Sequence, residues 1–151
     1  MNDLINKIIS ATAGNPDLTD WAESNLGEAF SMFIGVDANN PPGEEYYPLL
    51  AVTEIRISGG GAGPRITYEI DMAAGVKNDT IDHDTDNQVY EYKGLAQADA
   101  FRAQAFSALY AANFGKISIK DGAVGQSAAH PLHISGMTVQ IEYINHKRRS
   151  L

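Results

Sequence analysis

Hydrophobic and polar positions along the chain change period several times, and each change predicts an element. Leu4, Ile5, Ile8 and Ile9 fall at helical spacing within residues 1–13, with Asn2 or Asp3 placed to cap them and Gly14-Asn15-Pro16 to stop them. Asp20 and Glu23 stand at capping-box spacing ahead of Gly27, which predicts a helix of one or two turns. Residues 28–36 read as a largely buried strand. Residues 37–48 hold adjacent asparagines and adjacent prolines, and so read as a loop. A strand over 49–58, a glycine turn over 59–64 and a strand over 65–73 form an antiparallel hairpin. In its second strand Ile66, Tyr68, Ile70 and Met72 face one way, and Thr67, Glu69 and Asp71 the other.

After an acidic polar loop over 78–87 comes a short strand, 89–92, and then the one long helix, 94–114. The helix is rich in alanine and presents Leu95, Ala98, Phe101, Ala105, Ala108, Leu109 and Ala112 on one broad face. Small residues there let a helix lie close against a sheet. A brief strand at 117–119, a loop at 121–131 and a final strand with Met137, Val139, Ile141 and Tyr143 in alternation complete the chain. The order predicts an α+β fold: a mixed, mostly antiparallel sheet covered by the N-terminal helix and the long helix, in two layers. At 151 residues the chain is read as one domain, 1–151, ending in a short basic tail, 146–151.

Composition narrows the function more than the fold. With no cysteine there is no disulfide, no thiolate catalysis and no Cys-bound zinc. No apolar run approaches the roughly 20 residues that a bilayer span needs, and the first residues lack the basic start and apolar core of a signal peptide. The formal net charge is −8, with nine acids against Lys7 alone in residues 1–55. Such a body does not wrap nucleic acid, which needs clustered Lys and Arg. It suits ordinary solubility, or a surface that DNA passes without adhering.

Candidate chemistry is sparse. Asp82, Asp84 and Asp86 stand two apart, as calcium-loop ligands do, but Asn87 and Lys93 occupy the positions where the helix–loop–helix motif needs Gly and Glu. His83 adds an imidazole to that loop and leaves a looser metal site open. His130 and His133 are spaced for one helix face, yet Pro131 lies between them, and no HExxH accompanies them or His146. The glycines of 59–63 lead through Pro64-Arg65 into a strand, unlike a phosphate-binding loop. No serine sits in a GxSxG elbow, and Glu44-Glu45 with Tyr46-Tyr47 fall in a proline-rich loop. No catalytic residue, bound metal or cofactor is assigned. A small metal-dependent or small-molecule enzyme built on the Asp82–Asp86 loop is the alternative, and a non-viral bacterial adaptor domain is a third reading.

The short N-terminal helix, the Pro-initiated strand from Tyr47-Pro48-Leu49-Leu50-Ala51-Val52, its partner from Ile66 to Met72, the long helix from Leu95 to Phe114 and the final strand from Met137 to Ile144 occur together in this order. In size, order and pattern the chain resembles the tail-terminator (tail-completion) proteins of long-tailed bacteriophages and prophages. The resemblance implies a non-enzymatic structural protein, a ring homo-oligomer, commonly a hexamer. Its partners would be itself, the tail tube protein and the head–tail connector, with DNA passing through unbound and no membrane involved. Its place would be the host cytoplasm during assembly and then the virion tail. Two regions are candidate contacts: the acidic loop with Asp79, Asp82, His83, Asp84 and Asp86, and the basic end with Lys147, Arg148 and Arg149.

Overall fold

A computed structural model describes residues 2–37, 39–60, 63–122 and 126–144. Three helices, α1 (Asn2–Ala11), α2 (Pro16–Leu26) and α3 (Lys93–Ala112), accompany eight strands, β1 (Ser31–Ile34), β2 (Leu49–Gly59), β3 (Arg65–Lys77), β4 (Ile81–Asp84), β5 (Val89–Tyr92), β6 (Gly115–Gly122), β7 (Gln126–Ala129) and β8 (Leu132–Ile144). The main sheet runs β1-β2-β3-β8-β6, with β7 also on β8, and β4 and β5 form a separate two-stranded sheet. The fold is α+β. Among the described residues only β1 and β2 run parallel; the other pairings are antiparallel. The parallel step needs the crossover 35–48, which contains a single turn of 3-10 helix at Glu44–Tyr46.

The period-2 pattern of β3 and β8 places one apolar row of each against the helices. Ile66, Tyr68, Ile70, Met72, Ala74 and Val76 are buried on β3, and Met137, Val139, Ile141 and Tyr143 on β8. These two strands pair along their whole length, from Arg65 opposite Ile144 to Lys77 opposite Leu132. α3 lies across them with Ala98, Phe101, Ala105 and Leu109 fully buried, and α1 adds Leu4 and Ile8. A smaller apolar cluster, Tyr47, Leu49 and Ala51 with Phe33, Val36, Leu132 and Ile134, occupies one end of the opposite face.

Several elements differ from expectation. The second helix is capped by Asn15, whose side chain accepts the amide of Asp17 at 2.9 Å, and begins at Pro16. Proline at the first helical position is preorganised and has no amide to satisfy, so the helix starts a turn before Asp20. β1 covers only Ser31–Ile34, and none of its residues is fully buried, because it lies at the sheet margin. Within the long helix Leu95 is half-buried and Ala112 exposed, so the buried stripe runs from Gly94 to Leu109. The acidic segment 78–87 is in part a strand. β4 pairs with β5 from Ile81 opposite Tyr92 to Asp84 opposite Val89. The segment 121–131 also contributes β7, which pairs with the start of β8.

Candidate functional site

The β4–β5 hairpin stands off the sheet as an arm. All its strand residues are exposed, with Val89 at 52% and Tyr90 at 60%. Its register sorts the side chains by chemistry, because directly opposed residues share a face. Ile81 opposite Tyr92 and His83 opposite Tyr90 make one face, on which the His83 and Tyr90 rings stack at 4.1 Å. Asp82 opposite Glu91 and Asp84 opposite Val89 make the other. Lys93 reaches both Asp82, at 3.2 Å, and Glu91, at 3.1 Å.

The arm closes at a defined base, where the Lys93 amide donates to the Thr80 carbonyl at 3.1 Å. Below it, the Asn78 side-chain amide donates to Gln97 at 2.7 Å, and His133 Nε2 lies 3.2 Å from the Asn78 carbonyl. His133 is fully buried, and its ring fills the space that a side chain at Gly94 would need: a Cβ there would come within 2.0 Å of Cδ2. Glycine at the start of α3 thus lets the arm, the helix and β8 meet.

The contact residues expected in this region do not converge. Asp79 precedes β4 and is exposed. Asp84 is the acceptor of the arm's turn, taking the Asp86 amide at 3.0 Å and the Asn87 side-chain amide at 2.8 Å, and these bonds hold its carboxyl below the usual range. Asp86 lies in the turn itself. Among the described residues no three His, Asp or Glu side chains approach closely enough to hold a metal. His130 is exposed, 5.7 Å from the buried His133 ring. His146, Lys147, Arg148 and Arg149 lie outside the described residues.

Two polar groupings escaped the sequence because their members are far apart in it. On the sheet face turned away from the helices, Arg56 bridges Glu54 at 3.1 Å, Glu69 at 3.4 Å and Asp71 at 2.6 Å, while Lys120 holds Glu69 and Thr138 donates to Asp71 at 2.7 Å. Beneath α3, Arg102 donates to Asp99 at 3.0 Å and to the buried Ser135 hydroxyl at 3.1 Å. The alternation of Glu69 and Asp71 with apolar residues was visible, but their partners were not.

The carboxylates of the first grouping, together with Tyr143, give stability a pH dependence at both ends. The Arg56 hydrogen bond lowers the Asp71 pKa, and the Lys120 hydrogen bond lowers that of Glu69. A depressed carboxyl pKa stabilises the fold above its unfolded value, near 4, and that contribution disappears as pH falls through the folded value. Burial, then the hydrogen bond to Asp3, pushes Tyr143 up to about 12. Its neutral form therefore favours folding below the unfolded value near 10, and the advantage is lost as pH rises from there. Thermal melting is expected to be flat between these limits and to fall on both sides, with Asp71→Asn shallowing the acid limb alone. An unaltered acid limb in that variant would remove Asp71 from the account.

Among the described residues no helix is long and apolar enough to cross a membrane. Comparison with known proteins finds no family model that matches this chain and no curated protein that matches it.

Proposed function

We propose that this chain is a ring-forming tail terminator of a long-tailed bacteriophage or prophage, a structural protein that caps the finished tail tube and presents a surface to the head connector. The observation that carries the reading is the projecting two-faced arm. An isolated two-stranded ribbon is marginally stable in water, and large apolar side chains on it gain little until another surface covers them. A self-assembling subunit has use for such an arm, since a neighbouring copy can cover it. The resemblance in element order and length supports the same reading, and so does the acidic body, which would repel DNA in transit.

The function test is genetic. A tube end is an open heterologous interface that keeps adding subunits until a differently shaped ring occupies it. Loss of the gene is expected to leave heads and tubes intact but unjoined, with tubes of uncontrolled length in electron micrographs. Tails of normal, uniform length in the deletion would end this reading.

A further inference from the structure

We propose that the arm of one copy of this chain docks into a groove at the opposite pole of the next copy, so that self-assembly is head-to-tail. This rests on the self-assembly part of the reading above and names the contact that would carry it. The groove lies where α3 ends and β6 begins and encloses about 1040 Å³. Arg65, Tyr110, Phe114, Lys116, Ile117 and Ile144 are among the residues that line it. The lining mixes apolar with charged side chains, and within it Tyr110 is 65% exposed and Ile144 41%.

Arm and groove cannot meet within one molecule. The groove flanks Arg65 at the start of β3, and the arm begins just past Lys77 at its end. Those 13 residues of extended chain span about 40 Å. The arm strands have 4 residues each, a reach of roughly 13 Å. A contact joining two different patches at opposite poles is heterologous, and where the rotation closes it yields a ring.

Chemistry matches the two surfaces. Residues 78–92 contain five acids and neither Lys nor Arg. Asp86, at the arm's tip, has no cation partner among the described residues, whereas Asp82 and Glu91 already share Lys93. In the groove Arg65 is tied to Glu142 at 3.3 Å, but Lys116 has no ion partner among the described residues. The floor includes β6, the last strand in the sheet order, whose outward edge offers backbone groups to a ribbon. Ile81, His83 and Tyr90 of the aromatic face would cover Tyr110 and Ile144, while Tyr92, at the arm's base, already meets the His130 ring edge-on at 5.1 Å, and the acidic tip would meet Lys116.

The test uses the full chain with a photo-crosslinking phenylalanine at position 90, mixed as isotopically labelled and unlabelled protein. Crosslinks from position 90 to residues 110–117 of the other chain are the expected result. Alongside, Tyr90→Ser is expected to weaken self-association roughly thirtyfold at an unchanged melting midpoint, as a buried aromatic anchor does. Lys116→Glu should weaken it too, and adding Asp86→Lys should restore part of the loss. Oligomers whose crosslinks fall on β1, or on the same chain's own residues after 144, would overturn the arm–groove contact while leaving the ring reading in place. A chain that stays monomeric at every concentration in light scattering would overturn both.

Discussion

Replacing Phe101 by alanine is expected to lower the stability of the fold by about 3–5 kcal/mol, the usual cost of emptying a buried aromatic site. The ring is fully buried and touches residues of two neighbouring segments. Trp21 of α2 lies 6.0 Å away between centroids, and Phe30, on the approach to β1, 5.3 Å away. Such aromatic contacts add to the area term, so the loss falls on the packing of α2 as well as α3. A domain holds only about 5–15 kcal/mol in total, and the variant should therefore unfold at a much lower denaturant concentration with a similar slope. An unchanged midpoint would show that Phe101 is not the centre of the core.

The second large effect concerns the arm, and it should separate assembly from folding. Thr80 and Lys93 are already joined by a backbone hydrogen bond of 3.1 Å from the Lys93 amide to the Thr80 carbonyl. Excising residues 81–92 and inserting Gly-Gly makes these residues the first and fourth of a β-turn, with that same bond closing it. The hydrogen bonds beneath, Asn78 to Gln97 and His133 to the Asn78 carbonyl, are untouched, while the edge contacts of Tyr92 with His130 at 5.1 Å and His133 at 6.5 Å are removed. Shortening a connection stabilises by about 0.6 kcal/mol per halving, which offsets the lost Tyr92 contacts, so the melting midpoint should change little. Self-association should be lost altogether. An armless protein that assembles as well as the intact one, in a light-scattering concentration series, would take the arm out of the interface.

The parts of this fold that were legible in sequence are those whose side chains have two unlike environments. Ile66 to Met72 on β3 and Met137 to Tyr143 on β8 alternate because one face meets helices and the other water. The helix from Ala98 to Leu109 is legible for the same reason. The arm fails that test, since all its strand residues are exposed and burial imposes no period on Ile81 to Asp84. Its acids, with Asn87 and Thr85, read as a loop because those residues favour turns. Glu28 to Val36 looked buried by composition, yet only a four-residue strand forms, and it is the first in the sheet order, paired with β2 alone among the described residues. The groove was illegible altogether. It brings Arg65 beside Lys116 and Ile144, positions that no local pattern relates.

The placement of β8 governs when the molecule can fold. It is the final described strand in the chain, yet it sits between β3 and β6 near the middle of the sheet, and its ion pair from Arg65 to Glu142 spans 77 positions of sequence. Contacts of such high order must pay for a long closure before they return any stability, so folding is slow for the size of the domain. A nascent chain that has emerged only through α3 holds β2 and β3 with one flank of the sheet bare. On the ribosome β3 is therefore expected to keep one backbone edge unpaired until residue 144 has cleared the exit tunnel, even where α3 already covers Tyr68, Ile70 and Met72. Stalled translation products ending inside β8 should be chaperone clients, and pulse-chase proteolysis would find protection arriving all at once and late.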